Sequence, residues 1–200
     1  MTAGTTDPQD FVRYLDTTRG TEFFREIKRR SLALLDLRPG DRGLDVGCGT
    51  GDEVIALAGI VGPSGLAVGA DFSATMVAEG RRRAAELGLS SAFLQSDAQR
   101  LPFPDASFDG CRAERLLQRV PDADAALREL VRVARAGARV VIWEADLDTL
   151  VFDAPDRRTS RRIAHYICDG FRNGAIGHQL YRRLKHLGLE DVQAEPRIRA

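Results

Sequence analysis

The chain has 200 residues, of which 44% are hydrophobic and 29% are charged, a balance typical of one globular domain. Its 29 basic and 29 acidic side chains cancel at neutral pH. This balance argues against a nucleic-acid partner held by a broad basic face and gives no support for a membrane-surface protein. No run approaches the ~18 apolar residues of a membrane-spanning helix. We therefore expect neither a nucleic-acid nor a membrane partner.

The cysteines and the first residues bear on the compartment. Cys48, Cys111 and Cys168 are far apart and form no CxxC pair of the kind that binds zinc or performs redox chemistry. Residues 1–10 are polar and lack the basic and apolar regions of a signal peptide. These features predict a cytoplasmic protein without a metal site.

Short apolar segments alternate with helical segments from Leu44 onward, the pattern of βαβ units in a parallel sheet. Five strands are predicted, at residues 42–46, 66–70, 91–95, 107–112 and 138–144. The helices between them are predicted at about 52–59, 73–87 and 122–134, with Ser73 as the N-cap of the second. The fifth strand is the most apolar, which predicts a central strand that is buried on both faces.

The flanking regions predict helical additions to this sheet. Residues 1–37 are interpreted as an N-terminal helical lid, although the aromatic residues Phe11, Tyr14, Phe23 and Phe24 equally suit a helix that packs its apolar face. Residues 38–200 form the domain itself. Within it, a helical insertion on the substrate side is predicted at about 150–188, and residues 189–198 predict one more strand.

A glycine-rich loop follows the first strand in the sequence LDVGCGTG, residues 44–51. Glycines let a ligand approach main-chain N–H groups at the carboxyl end of a strand, where ligands bind in open α/β sheets. A dinucleotide fingerprint needs its third glycine where this chain has Asp52, whose carboxylate would repel a pyrophosphate. The loop therefore predicts a nucleoside ligand without phosphates.

Two acidic side chains come directly after the next two strands. Asp71, 24 residues beyond Gly47, stands where a carboxylate can accept hydrogen bonds from both ribose hydroxyls, although it also suits a helix-capping turn. Asp97 follows the third strand and can accept the amine of an adenine, while the N–H of Ala98 is offered to a ring nitrogen. The three loops together predict an adenosine-binding edge.

These motifs, with the sequence DAQRLPFPDASFD at 97–109, resemble the class I S-adenosylmethionine-dependent methyltransferases. The nearest group is the small-molecule type that includes ubiquinone and menaquinone biosynthesis (methyltransferase type 11). The likeness covers about residues 38–144. It implies an α/β, Rossmann-like, doubly wound and mostly parallel sheet with helices on both faces, and S-adenosyl-L-methionine as the cofactor.

The resemblance also implies which residues contact the cofactor, grouped by its parts. The methionine side is lined by Asp45, Gly47 and Gly49, the ribose by Asp71, and the adenine by Phe72, Met76, Asp97 and Ala98. Glu114 lies where the family chain passes the methionyl end. Tyr14, on the predicted lid, is a further candidate near the sulfonium.

The chain departs from this family at two places. The histidine pair that often follows strand four is replaced by the sequence ERLLQRV at 114–120, so no role of those histidines transfers. The antiparallel strand that closes the family sheet has no counterpart before Ala200. We therefore expect a C-terminally truncated chain.

The expected reaction is in-line methyl transfer to a small organic molecule, which relies on alignment and needs no metal. A hydroxyl or ammonium acceptor also needs a base, and the candidates are His165, His178 and Glu144. For the two histidines, a structural or surface role is the more common alternative, and Glu144 also suits ordinary loop solvation. Two alternatives stay open: a binding module that transfers no methyl group, and an NAD-dependent oxidoreductase, against which Asp52 counts. A monomer or a homodimer is expected.

Two runs of arginine stand out on predicted helices. One is Arg81–Arg83, and the other consists of Arg157, Arg158, Arg161 and Arg162. Both suit either the attraction of an acidic substrate or a solvated helix face.

Overall fold

The structure, a computed structural model, describes residues 12–13, 15–17, 21–89 and 91–198. Its elements in chain order are α1 (Glu22–Leu34), β1 (Arg42–Val46), α2 (Asp52–Val61), β2 (Leu66–Asp71), α3 (Ala74–Glu86), β3 (Ser91–Gln95), β4 (Phe108–Glu114), α4 (Ala123–Val133), β5 (Ala134–Trp143), a 3-10 turn (Leu147–Thr149), α5 (Arg157–Asp169) and α6 (Ile176–His186). Residues 12–13 and 15–17 are also helical.

The five strands form one parallel sheet in the order β3-β2-β1-β4-β5. The chain moves outward from β1 to β3 and then returns to the other side of β1. This reversal places a crevice between the carboxyl ends of β1 and β4, where ligands bind in doubly wound sheets. The predicted fold class is confirmed.

Each face of the sheet is covered by its own helices. Leu44 and Val46 of β1 point to the face that packs against α4 and Ile176 of α6. The opposite face packs against α1, α2 and α3 through a second apolar cluster that includes Leu35, Val54, Leu57, Val61 and Val77. Alternation along the strands divides the apolar residues between the two cores.

Side-chain caps fix where three helices begin. The hydroxyl of Ser73 accepts the N–H of Met76 at 3.4 Å, which confirms the predicted cap of α3. Asp122 accepts the N–H of Ala125 at 2.9 Å at the start of α4. Asp156 caps α5 in the same manner, so this helix starts several residues later than the pattern predicted. These bonds satisfy N–H groups that have no partner inside the helix.

The prediction that the fifth strand lies at the centre of the sheet is wrong. β5 pairs with β4 alone and forms an edge of the described sheet. Its apolar residues are only partly buried beneath helices, as where the ring of Phe24 in α1 packs edge-on against Trp143 at 5.7 Å between centroids. A run of apolar residues indicates that other layers of the protein pack on the faces of a strand. An edge strand can have such layers above and below it as well.

The prediction of a sixth strand at 189–198 is also wrong, because these residues form an irregular segment. Most of their side chains are exposed, and no described strand pairs with them. Their contact with the domain is polar, since Glu195 accepts a bond of 2.7 Å from Arg30 of α1.

Within the described residues, no helix is long and apolar enough to cross a membrane.

The N-terminal residues that the structure describes lie against the glycine loop. A side-chain carbon of Leu15 is 3.2 Å from where a Cβ at Gly49 would stand. Asp16 forms an ion pair of 3.0 Å with Arg83 of α3. Phe24 belongs to the core, as the packing interpretation required. Phe11 and Tyr14 lie outside the described residues.

Candidate functional site

The glycine loop takes its shape from three left-handed residues. Gly47, Gly49 and Gly51 have φ values of +76°, +52° and +83°, a region that other residues rarely adopt. The N–H groups of Gly47 and Cys48 both bind the carbonyl of Ala70, at 2.7 and 3.1 Å. These bonds hold the loop against the end of β2.

The ring of Phe93 in β3 supports the loop from below. A Cβ placed on Gly51 would lie 2.5 Å from this ring, and one on Gly80 of α3 would lie 2.6 Å from it. Both distances are shorter than real carbon contacts, so the two glycines form the slot that the ring fills. Gly51 is therefore required by packing as well as by its φ value.

Asp71 joins the loop to the next helix. Its Oδ2 accepts the N–H of Gly49 at 2.9 Å, and its Oδ1 accepts the N–H of Ser73 at 2.8 Å. Burial raises the pKa of this carboxyl, and the two N–H groups act in the opposite direction. A carboxylate oxygen accepts about two bonds, so each oxygen keeps a lone pair for a ligand. The capping turn and the ribose interpretation are thus compatible.

The third loop presents a polar edge beside an exposed aromatic ring. The carboxylate of Asp97 is exposed and accepts the N–H of Gln99 at 2.9 Å as well as its side-chain amide. Ala98 is buried next to it. Phe72 leaves 76% of its surface exposed, whereas Met76 is buried in α3. The adenine roles of these four residues stay predictions.

The start of α2 tests which ligand the loop suits. Asp52 and Glu53 occupy its first turn, directly after Gly51. Two carboxylates at this position complement the helix dipole and disfavour a phosphate. A three-glycine cradle, the partly buried Asp71 with spare lone pairs and an exposed aromatic ring fit an adenosyl ligand that carries no phosphate. The residues present therefore fit S-adenosylmethionine.

A buried ion pair that the sequence interpretation missed lies behind the loop. Asp45 of β1 and Arg112 of β4 are partners in the sheet register, and Nη1 of Arg112 is 3.0 Å from Oδ1 of Asp45. The Arg112 side chain is only 1% exposed. One signal was available in the sequence: Arg112 and Glu114 are two residues apart in a strand and so share a face.

Further charges complete this group, named here the Arg112 cluster: Lys28, Asp45, Glu53, Arg112, Glu114 and Arg115. Glu114 accepts a bond of 2.9 Å from Arg112 and lies 3.6 Å from Arg115. Lys28 of α1 binds Glu53 and lies 3.9 Å from Glu114. The cluster therefore connects α1, the glycine-loop helix and the two central strands. It also engages Glu114, one of the residues expected near the methionyl end.

Burial has a strong effect on the ionisation of Asp45 within this cluster. It raises the pKa of this carboxyl to about 7, and the positive charge of Arg112 acts in the opposite direction. The carboxylates of Glu53 and Glu114 act in the same direction as burial. Asp45 is therefore a carboxyl group whose charge depends on its basic neighbours.

Glu144, a candidate base, is engaged by the main chain. Its Oε1 accepts the N–H of Leu117 at 2.5 Å, while its buried Oε2 has no hydrogen-bond partner among the described residues. Burial raises the pKa of Glu144 to about 7. The turn that it holds also carries Leu116, which lies 3.0 Å from the position of a Cβ at Gly47. Glu144 thus supports the wall of the glycine loop.

The two candidate histidines occupy different settings. Nδ1 of His178, in the first turn of α6, lies 2.8 Å from the carboxylate of Asp146, which follows β5. This bond fixes the orientation of the ring, and the side chain is half exposed. His165 is exposed on α5, beside the arginines of that helix. Only His178 has the carboxylate partner that a histidine base uses for orientation.

The three cysteines are unpaired and buried. Burial raises the pKa of Cys48, inside the glycine loop, which keeps it a neutral filler. The part of the chain that the structure describes holds no cluster of three side chains suited to a metal ion.

Comparison with known proteins identifies relatives by sequence. A family model described as the ubiE/COQ5 methyltransferase family matches residues 22–153. A protein of Streptomyces fradiae, described as an uncharacterized 37.1 kDa protein in transposon TN4556, is 43% identical over 174 residues, which is 86% of this chain and 50% of that protein. The demethylmenaquinone methyltransferase of Bacillus cytotoxicus is 38% identical over 125 residues, which is 62% of this chain and 53% of that enzyme. The chain thus spans about half the length of these relatives.

Solved structures agree on the fold. A SAM-dependent methyltransferase from Aquifex aeolicus superposes with a TM-score of 0.69 over 92% of this chain and 89% of that one, at 21% identity. The [4+2]-cyclase SpnF superposes with a TM-score of 0.66 over 81% of this chain and 56% of that one, at 28% identity. The second protein is named for another reaction, so the fold by itself does not define the chemistry. The family match over residues 22–153 confirms the resemblance: the chain belongs to the ubiE/COQ5 methyltransferase family, whose cofactor is S-adenosyl-L-methionine.

Proposed function

We propose that the chain transfers a methyl group from S-adenosylmethionine to a small organic molecule. The observation that carries this proposal is the joint geometry of the glycine loop and Asp71, whose carboxylate is bonded to the loop at Gly49 and keeps lone pairs for a ribose. When bound, the cofactor supplies an activated methyl group on a sulfonium with a neutral leaving group. The protein then contributes mainly alignment and exclusion of water.

The proposed roles follow from the elements that present each residue. Gly47 and Gly49 let the methionyl part approach the main chain, and Asp45 lies directly behind them. Asp71 binds the ribose. Phe72 packs on one face of the adenine, and its 76% exposure is then reduced by the ligand.

The proposed acceptor is an apolar molecule that contains a ring. Support comes from the relatives named demethylmenaquinone methyltransferase, which match 62% of this chain. A ring hydroxyl or an amine must lose a proton during transfer. We assign that role to His178, because the bond to Asp146 orients its ring through Nδ1 and leaves Nε2 to accept a proton.

Cofactor binding is the first test. Calorimetric titration of the chain with S-adenosylhomocysteine should give a micromolar dissociation constant, and NADH should give no heat. Replacing Asp71 with Asn should weaken binding by about 1.5–3 kcal/mol, or roughly 10- to 150-fold, because bonds to a charged acceptor are lost.

Asp41→Asn is a matched control. Asp41 also holds a turn, because its carboxylate accepts the N–H of Arg38 at 2.8 Å. It precedes β1, however, and so lies at the amino ends of the strands, opposite the candidate site. The control should bind like the unmodified chain. If Asp71→Asn binds equally well while both variants unfold at the same temperature, the ribose role of Asp71 is wrong.

Turnover separates the enzyme from a binding module that transfers no methyl group. A short-tailed demethylmenaquinone, kept reduced so that its ring is electron-rich, is a suitable probe acceptor. Formation of S-adenosylhomocysteine that depends on the acceptor supports the enzyme, and His178→Gln should lower this rate 10²- to 10⁴-fold without changing cofactor affinity. Cofactor binding without turnover across a panel of ring acceptors would instead favour the module.

The proposed setting is the cytoplasm, as a monomer or a homodimer. The three unpaired cysteines support a reducing compartment.

A further inference from the structure

One surface of the protein takes no part in the proposed site. It consists of the outer side of α5, and we name it the α5 face: Arg157, Arg158, Arg161, Arg162, Ile163, His165 and Tyr166. The helix is attached to the domain through a narrow strip of small residues, Ser160, Ala164 and Cys168. Everything else on its outer side faces solvent.

The arginines of this face have no partners among the described residues. Most other arginines of the described chain contact a carboxylate, a carbonyl or an aromatic ring, but the guanidinium groups of Arg157, Arg158, Arg161 and Arg162 contact none. No acidic residue occurs among residues 157–168. The carboxylate of Asp156 is already engaged by the N–H of Arg158 and the hydroxyl of Thr159. The four arginines therefore have no acid within one turn of them inside the helix, whose acidic residue, Asp169, is its last.

Apolar side chains lie next to these charges. Ile163 is 46% exposed and Tyr166 is 72% exposed, and both stand on the helix within four residues of Arg162. Val151, from the preceding segment, is 90% exposed, and Phe152 is 41% exposed. Large apolar side chains at this exposure, adjacent to cations, are typical of interfacial helices, whose apolar residues enter the bilayer while arginines reach the headgroups.

The shape of the face argues for an extended partner. A cavity of about 470 Å³ is lined by the four arginines and His165, and another of about 540 Å³ by Arg162, Ile163, Tyr166 and, at its border, the acidic Asp169 among others. Both lie along the outside of one helix rather than within the domain, so they cannot enclose a small molecule. Four cations beside the exposed Ile163 and Tyr166 on one helix match a sheet of anionic headgroups above an apolar interior.

We propose that the α5 face binds the surface of a membrane that contains anionic lipids. The zero net charge of the whole chain, which argued against such a partner, conceals this segregation because most other arginines are paired with acids. Attraction is therefore short-ranged and sensitive to salt. The inference does not depend on the proposed methyl transfer.

Vesicle sedimentation tests the proposal with the full chain. Large vesicles of equal parts phosphatidylglycerol and phosphatidylcholine should bind the protein at 0.1 M NaCl, and vesicles of phosphatidylcholine alone should bind it at least tenfold more weakly. The variant R158Q/R162Q removes two charges one helical turn apart. It should weaken partitioning by about 25-fold, at roughly fivefold for each arginine near an anionic surface.

Two further variants locate the effect. I163S/Y166S should weaken binding even at low salt, because it removes apolar insertion and leaves the charges. R25Q/R82Q is the matched control: both arginines are more than half exposed and lie in other helices, where they pair with Glu22 and Glu79. It changes the net charge by the same amount as R158Q/R162Q, and it should bind vesicles like the unmodified chain.

Three outcomes would overturn the proposal. They are the absence of binding to phosphatidylglycerol vesicles, equal losses in R158Q/R162Q and in R25Q/R82Q, and binding to a DNA or RNA oligonucleotide through Arg158 and Arg162 with no vesicle binding. All variants lie on exposed positions, and circular dichroism with thermal unfolding verifies that each is folded.

Discussion

The helices α3 and α5 both have 13 residues and both carry several arginines, but they use them in opposite ways. In α3, Arg81 donates to the carbonyl of Phe93, Arg82 to Glu79 and Glu86, and Arg83 to Asp16 and Glu79. In α5, none of the four guanidinium groups has a described partner.

The difference follows from the residues one turn away. Glu79 and Glu86 lie three or four positions from Arg82, the spacing at which helical side chains meet. α5 offers no acid at that spacing, and its arginines begin at the N-terminus, where the helix dipole disfavours cations. Arginines in α3 thus stabilise the fold, whereas those in α5 lower its stability and are available for a partner. Counts of basic residues do not reveal this distinction.

Arg112 is the extreme case of a paired arginine and gives the largest expected effect. Replacing it with Met leaves Asp45 and Glu114 buried without their nearest cation. The free energy of unfolding should fall by about 3–5 kcal/mol. Urea unfolding measures this loss, and Arg82→Met, which removes an exposed paired arginine, should cost far less stability because solvent screens its ion pairs. Similar losses in both variants would contradict the importance of burial.

Glu144 is the converse case, a buried carboxyl held by main-chain N–H groups instead of an arginine. Its pKa, raised to about 7 from an ordinary 4.5, means that the folded state keeps a proton that the unfolded state has released. Its contribution to stability is therefore present near pH 4.5 and is lost as the pH rises to 7, by roughly 2–3 kcal/mol.

Glu144→Gln removes this titration and keeps an oxygen for the N–H of Leu117. Urea unfolding from pH 4.5 to 7.5 should show the unmodified chain losing stability relative to the variant as the pH rises. A constant difference across this range would show that Glu144 has the same pKa in both states.

The same substitution in the two helices should give small effects of opposite sign. Arg157→Glu places an anion at the start of α5 and should raise the unfolding free energy by about 0.3–1 kcal/mol. Arg82→Glu breaks two exposed ion pairs in α3 and places like charges beside Glu79 and Glu86, so it should lower the unfolding free energy slightly. Thermal unfolding detects both, at about 2–4 °C for each kcal/mol. Shifts of the same sign would contradict the comparison of the helices.

Local signals in the sequence were sufficient for most of the fold. Alternating apolar segments located all five strands, Ser73 marked the start of α3, and the glycines after β1 located the loop. The edge position of β5 could not be obtained in this way, because an apolar strand covered by α1 and α4 has the same composition as a central one. Residues 189–198 alternate like a strand, but no described strand pairs with them.

The same distinction between local and long-range signals applies to the candidate site. The loop residues and Asp71 could be predicted because their roles depend on their own conformation and on the strand that they follow. The pairing of Asp45 with Arg112, 67 residues apart, depends on the register between β1 and β4. The bond between Asp146 and His178 depends on how α6 packs against the end of β5. Such contacts appear only when distant elements are assembled.

The slot that Gly51 and Gly80 form for Phe93 has a consequence for folding kinetics. The ring of Phe93 belongs to β3, the strand at the far edge of the sheet. This strand pairs only with β2. We therefore expect the glycine loop, although it lies at the centre of the sheet, to reach its final shape only after β3 has docked. During refolding, the ability to bind S-adenosylhomocysteine should appear in step with the last strand on that side and lag behind the formation of α2.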